Sequence, residues 1–322
     1  MTTFDYNEEL IKAMKEKLPR GVNLANTLID KLYFGKEAVY RRLRGEVPFT
    51  LSEAATISRE MGVSLDKLVG SKKGMSAIFD LNVIHYTDPL ETYYSIVDNY
   101  VKVFQEIKHD PTSVLCTASN IIPQTFYLKY ELLSKFRMFK WLYQFEKIDI
   151  EHHFEELNMV DKLLDRQRDF VRESQEFNHT EYIWDCKIFF YLVNDIKYFA
   201  RANLISPEYV RKLKKELIEL LDELEEIAVR GAFKSGKEVF IYIANINFEA
   251  TYSYIATSSY KLSLIRLFAI NSITSHDENV FRNVKEWVDS LRKYSVLISQ
   301  SGEIQRSKFF KDQREIINGL CE

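Results

Sequence analysis

The sequence predicts a mainly α-helical protein: a five-helix N-terminal domain, then a large helical domain ending in a small antiparallel β-sheet and two helices. Three observations lead there. Six of the ten glycines fall in the first 74 residues and none lies between Gly74 and Gly231, so the middle of the chain reads as helices joined by short polar connections. Apolar and aromatic residues in that middle recur at helical spacing. After Gly236 the pattern changes, and "EVFIYIANINFEATYSYIATSSYKLSLIRLFAIN" is dense in β-branched and aromatic residues. The expected domains are residues 1–70, a linker at 71–87, a helical domain at 88–230, and a sheet-bearing part at 231–322 packed with the helical domain.

In the head, a first helix covers about 7–17 and ends before Pro19, and a second covers about 22–32. The third starts near Lys36 and stops at Gly45, a natural residue just past a helix end. "TLSE" then places Thr50 as a cap with Glu53 positioned to reach back, a capping box. That helix ends at Gly62, and "VSLDKLVG" repeats the logic with Ser64 as cap and Gly70 as stop. "VGSKKGMS" reads as the linker.

In the body, Phe126, Tyr130, Leu133, Phe136 and Trp141 recur at helical spacing, as do Phe154, Leu157, Val160 and Leu164. "SPEYVRKLKKELIELLDELEEIAV" is the clearest helix: Ser206 caps it, Pro207 opens it, and Val210, Leu213, Leu217, Leu220, Leu224 and Ile227 form an apolar seam. That seam reads as core first and as a dimer face second. Three antiparallel strands are expected at about 238–247, 250–257 and 261–270, then helices at about 277–298 and 302–319. No sequence repeat is evident.

Composition narrows the function classes. A chain of 322 residues with 46% hydrophobic and 14% aromatic content can bury a core and makes two or three domains. No apolar run approaches the roughly 20 residues of a membrane span, and MTTFDYNEEL lacks the basic and apolar blocks of a signal peptide. Cys116, Cys186 and Cys321 are odd in number and far apart, which fits a reducing cytoplasm and gives no disulfide framework or zinc pattern. Residues 1–74 hold 13 Lys/Arg against 10 Asp/Glu, so a head of net charge +3 sits on a body of −6. That asymmetry suits a nucleic-acid-binding head.

"GKEAVYRRLRGEVPFT" concentrates the charge: Lys36, Arg41, Arg42 and Arg44 stand against Glu37 and Glu46. Val39 and Leu43, four apart, can pack inward, leaving Lys36, Glu37, Tyr40, Arg41 and Arg44 outward. The stretch "LYFGKEAVYRRLRGEVPFTLSEAATISREMGVSLDKLVG" resembles the phage-lambda-repressor-like, or Cro-type, helix-turn-helix family over about residues 7–70, a fifth of the chain. The resemblance implies that the third helix enters the major groove, with Lys36, Glu37 and Arg41 facing base edges and Tyr40 and Arg44 nearer the backbone. A helix N-terminus also favours nearby phosphate. Two positions depart from the family: Ile29 stands where a small residue is usual, and Tyr33 where glycine is usual, with glycine displaced to Gly35.

Other constellations are weaker. His152 and Glu156 in "EHHFEE" are four apart, but no third metal ligand is evident and exposed helix polarity is the plainer reading. "GAFKSGKEV" lies between a helix and a strand, the wrong order for a phosphate loop. Ser299, Ser301, Glu303 and Arg306 cluster at a helix start and form a candidate ligand or anion site, set against simple capping. Tyr127, Tyr130, Tyr143, Tyr191, Tyr242 and Tyr252 could line an effector pocket or serve packing. No catalytic constellation, metal site or cofactor motif is found, and no enzyme is expected.

The combined expectation is a cytoplasmic, bacterial, sequence-specific transcription regulator. Its partners would be double-stranded DNA, a second copy of the chain, and a small-molecule or peptide effector, with no membrane. The alternatives are a peptide-responsive regulator with a helical-repeat sensor body, and a module whose head binds protein instead of DNA.

Overall fold

Five short helices and, separately, an eight-stranded mixed sheet make up the two units into which the chain divides between Ile78 and Phe79. The computed structural model describes residues 5–18, 22–32, 35–69, 77–82, 84, 88–144, 153–267 and 270–321. Most of the segment "VGSKKGMS", together with Tyr33 and His152, lies outside the described residues.

In the first unit α1 spans Tyr6–Lys17, α2 Leu24–Leu32, α3 Lys36–Leu43, α4 Leu51–Met61 and α5 Leu65–Val69. Caps set their limits. Asp5 accepts from the backbone N–H groups of Asn7 and Glu8 to start α1, and Asn23 does the same for Ala25 and Asn26 at α2. Thr50 and Glu53 form a complete capping box on α4, which ends at Gly62 in the left-handed conformation. Leu10, Met14, Ala25, Leu28, Val39, Ile57 and Val63 form a core of their own.

The second unit corrects the predicted fold class. It is not a helical domain with a small antiparallel sheet but a mixed α/β unit. The strands are β1 Asp80–Asn82, β2 Val114–Ser119, β3 His179–Trp184, β4 Val239–Ala244, β5 Tyr252–Ala256, β6 Lys261–Leu267, β7 Asn271–Ser275 and β8 Ser295–Leu297. Their order is β1-β7-β6-β5-β2-β3-β4-β8. β2, β3 and β4 run parallel, while β5, β6, β7 and β1 extend the sheet antiparallel on one side and β8 closes the other. β2 and β3 lie inside the stretch expected to be all helix, and β1 inside the expected linker. The predicted three-strand meander is also absent, because β4 pairs β3 and β8 while β5 pairs β2 and β6. A helical-repeat body is excluded by the same sheet.

Parallel pairing demands crossovers, and helices supply them. α6 (Pro89–Ile107) precedes β2; α7 (Gln124–Tyr127), α8 (Glu131–Gln144) and α9 (Asp161–Ser174) link β2 to β3; α10 (Phe190–Arg201) and α11 (Pro207–Arg230) link β3 to β4. After the antiparallel strands come α12 (Glu278–Lys293) and α13 (Glu303–Asn318). Alternate strand residues serve two cores. Leu115, Tyr182, Trp184, Val239 and Ile241 join the large core built with α6, α8, α9, α10, α11 and α13. Cys116, Ala118, Ile183 and Tyr254 join a second core under α12, with Val280, Phe281, Val284, Val288 and Leu291.

The seam of α11 belongs to the large core. Val210, Leu213, Leu217, Leu220, Leu224 and Ile227 are all buried within their own unit, so the seam is no dimer face. Among the described residues no helix is long and apolar enough to cross a membrane.

Candidate nucleic-acid interface

α3 is oriented by its inner face. Val39, 1% exposed, enters the core of the first unit, and Leu43 packs beside it. The outer face carries Lys36, Glu37, Tyr40, Arg41 and Arg44, all exposed. Their spacing of i, i+1, i+4, i+5 and i+8 makes one continuous stripe on a helix of 3.6 residues per turn.

Arg42 falls outside that stripe and points the other way. Its Nε donates to Glu53 Oε2 at 2.9 Å and its Nη2 to Glu53 Oε1 at 2.7 Å, joining α3 to α4. The Thr50 backbone N–H donates to the same Glu53 carboxylate at 2.9 Å. Burial pushes the Glu53 carboxyl up, but Arg42 and Thr50 outweigh it and hold it below the ordinary glutamate range. Sequence reasoning assigned Glu53 to the capping box and gave Arg42 no role. The available signal was that Arg42 does not fit the spacing of the outward stripe.

Glu46, also missed, governs two of the predicted cations. Arg44 Nε donates to Glu46 Oε1 at 2.6 Å, and Arg41 Nε lies 3.5 Å from Oε2. These side chains are about half exposed, so the pairs are weak and open to exchange with an external anion. Arg44 is held above its ordinary value first by the hydrogen bond to Glu46 and then by its charge.

The backbone at the start of α3 does not require the displaced glycine. Gly35 sits at the helix N-cap with φ −61° and ψ 145°, ordinary extended backbone that needs no glycine. Left-handed backbone is instead taken by Gly45 after α3, at φ 76°. Ile29 packs on the core of the unit.

The remaining candidates disperse. Ser299 is buried and its Oγ accepts from the Ile241 N–H at 3.1 Å. Arg306 Nη1 donates to the carbonyls of Ile298 and Ser301 at 2.8 and 3.0 Å. Gly302 fits the turn between them, because a Cβ there would meet the Leu297 carbonyl oxygen at 2.4 Å. Ser299 and Arg306 thus both bond backbone at this turn, and Glu303 is exposed. The six tyrosines do not converge: Tyr127 is buried in the large core, Tyr130 donates to Glu223 at 2.9 Å, Tyr191 is exposed, and Tyr252 packs edge-on to Trp287 on the α12 side. Glu156 accepts from the His153 backbone N–H at 3.1 Å and caps a single turn. Among the described residues no group of three metal-ligating side chains is present.

Comparison of the chain with protein-family models, curated proteins and solved structures returned no match.

Proposed function

We propose that the first unit binds double-stranded DNA in a sequence-dependent way and that the chain regulates transcription. The observation that supports this most is the exposed stripe of α3. It offers three cations, one carboxylate and a phenol, while Val39 and the Arg42–Glu53 pair fix the opposite side of the helix. In this reading Arg44 and Tyr40 contact phosphates and position the helix, and Lys36 and Arg41 donate to guanine acceptors. Glu37 accepts from a cytosine amino group and is repelled by phosphate, which disfavours indiscriminate binding.

A single head this small binds one half-site. Two copies held at a fixed spacing gain affinity by effective concentration, so the chain acts as a homodimer and its operator is palindromic. The test is selection of bound sequences from a random DNA pool, followed by titration of the enriched site over a range of salt. The expected result is a palindromic motif whose affinity falls steeply with salt. Failure to enrich any sequence, or binding indifferent to salt, would favour a head that binds protein.

A further inference from the structure

The second unit holds a cavity of about 60 Å³ at the junction of the parallel and antiparallel parts of the sheet, where β2, β5 and β6 meet α6, α9 and the start of α7. Most of its wall is apolar: Phe104, Leu115, Phe170, Leu262 and Leu264. One end is polar. Arg266 of β6 lines it, as do the hydroxyls of Thr117 and Ser253, which bond each other at 3.0 Å, and of Ser119, which bonds Thr251 at 3.1 Å. Ligands in open α/β sheets collect at the carboxyl ends of parallel strands, and Ser119 is the last residue of β2.

Arg266 is the unusual member. Its Nη2 donates to Gln124 Oε1 at 2.8 Å, a neutral acceptor that leaves most of its five donors available. Its strongest electrostatic neighbours are Tyr127, Arg137, Tyr93 and Tyr100, with no carboxylate among them, and burial pushes its guanidinium down from the ordinary value. A part-buried guanidinium that donates to a neutral amide is costly to hold without an anion.

We propose that this cavity binds a small aliphatic carboxylate, its carboxyl group paired with Arg266 and its short hydrocarbon tail against Phe104, Phe170 and Leu262. Carboxylate matches the planar fork of a guanidinium. A nucleotide or sugar phosphate is too large, since about 60 Å³ admits only a handful of heavy atoms. The site lies wholly in the second unit, so it stands whether or not the first unit binds DNA.

The test is isothermal titration of the full chain with butanoate and, separately, with the neutral isostere butanamide. Butanoate is expected to bind one per chain, with butanamide roughly ten- to a hundredfold weaker, the range for a hydrogen bond to a charged group. Arg266→Met should lower butanoate affinity by a similar factor and leave butanamide unchanged. Leu264→Trp, which fills the cavity without touching the charge, should block both, with the near-ultraviolet circular dichroism of the core aromatic residues as the check on folding. Equal binding of acid and amide, undiminished butanoate binding by either folded variant, or no butanoate binding at all would overturn the proposal.

Discussion

Arg42 and Glu53 face each other across the α3–α4 junction, and both are largely buried, with side chains 16% and 12% exposed. The pair fixes how the outer stripe of α3 is presented, because Glu53 also completes the cap of α4. Thr50→Ala should therefore cost about 0.5–2 kcal/mol, the usual value of a lost cap. Glu53→Ala should cost more, since it also removes both hydrogen bonds from Arg42 to the carboxylate. Hydrogen exchange of the α3 and α4 amides in the full chain measures this, and exchange should accelerate in both helices. Acceleration confined to α4 would mean that the pair does not couple them.

Glu46 holds Arg44 and lies beside Arg41, so under the proposed function it competes with DNA for both. Glu46→Gln should release both cations and raise affinity for unrelated DNA several-fold while flattening the preference for the selected site. Arg41→Ala should weaken the selected site roughly ten- to a hundredfold and relax choice at one base pair. Arg44→Ala should weaken all sequences alike and lower the salt slope by about one. Competition titrations with selected and scrambled duplexes separate these outcomes. Equal effects of Arg41→Ala and Arg44→Ala on both duplexes would count against the assigned roles.

Leu217 tests the reading of α11 as interior. Its side chain is 0% exposed in the large core, so Leu217→Ala should destabilise the second unit by about 2–5 kcal/mol and leave the oligomeric state of the folded chain unchanged. Urea unfolding followed by tryptophan fluorescence reads the first, since Trp141 and Trp184 are fully buried. Sedimentation reads the second.

Local signals in the sequence carried local structure, and pairing between distant segments was hidden. Thr50 with Glu53, and Ser206 with Pro207 and Gly231, mark helix limits through their own side chains and backbone preferences. The residues of β4, β5 and β6 could be recognised from their composition, yet nothing local tells that β4 lies beside β3. β2 and β3 escaped notice because both their faces are buried. "VLCTAS" sends Leu115 to one core and Cys116 and Ala118 to the other, so neither face of the strand is a charged, solvent-facing one. The scarcity of glycine also misled: Asn203 and Gln300 adopt positive φ, and the Asp110 carboxylate closes a turn onto Thr112. At the candidate interface, the outward stripe follows from helical spacing, whereas Arg42–Glu53 depends on how α3 and α4 meet and Arg41–Glu46 on the turn at Gly45. The cavity at Arg266 draws on α6, α9 and four separate stretches of loop and strand, which no linear pattern reveals.

One buried and one half-buried carboxylate should give the second unit opposite responses to pH. Glu181 of β3 is 6% exposed; Arg292 Nη1 donates to both its oxygens at 2.9 Å and His179 Nε2 lies 2.8 Å away. Burial raises its pKa, but His179 and Arg292 more than reverse this and hold it below the ordinary range. The unfolded chain then binds the proton more readily, so the contribution of Glu181 is complete above about pH 4.3 and is lost as pH falls through the lower folded value. Glu216 on α11 is raised, first by burial and then by Glu219 and Glu131, although the N–H groups of Leu133 and Leu132 donate to it. Its contribution is complete below about pH 4.3 and is lost as pH rises through the higher folded value. Glu181→Gln should therefore flatten the stability curve below about pH 4.3, and Glu216→Gln the decline above it. Urea midpoints recorded across that range by tryptophan fluorescence should show the two variants diverging from the parent on opposite sides. A Glu216→Gln curve that declines above about pH 4.3 as steeply as the parent would refute the assignment of that limb to Glu216.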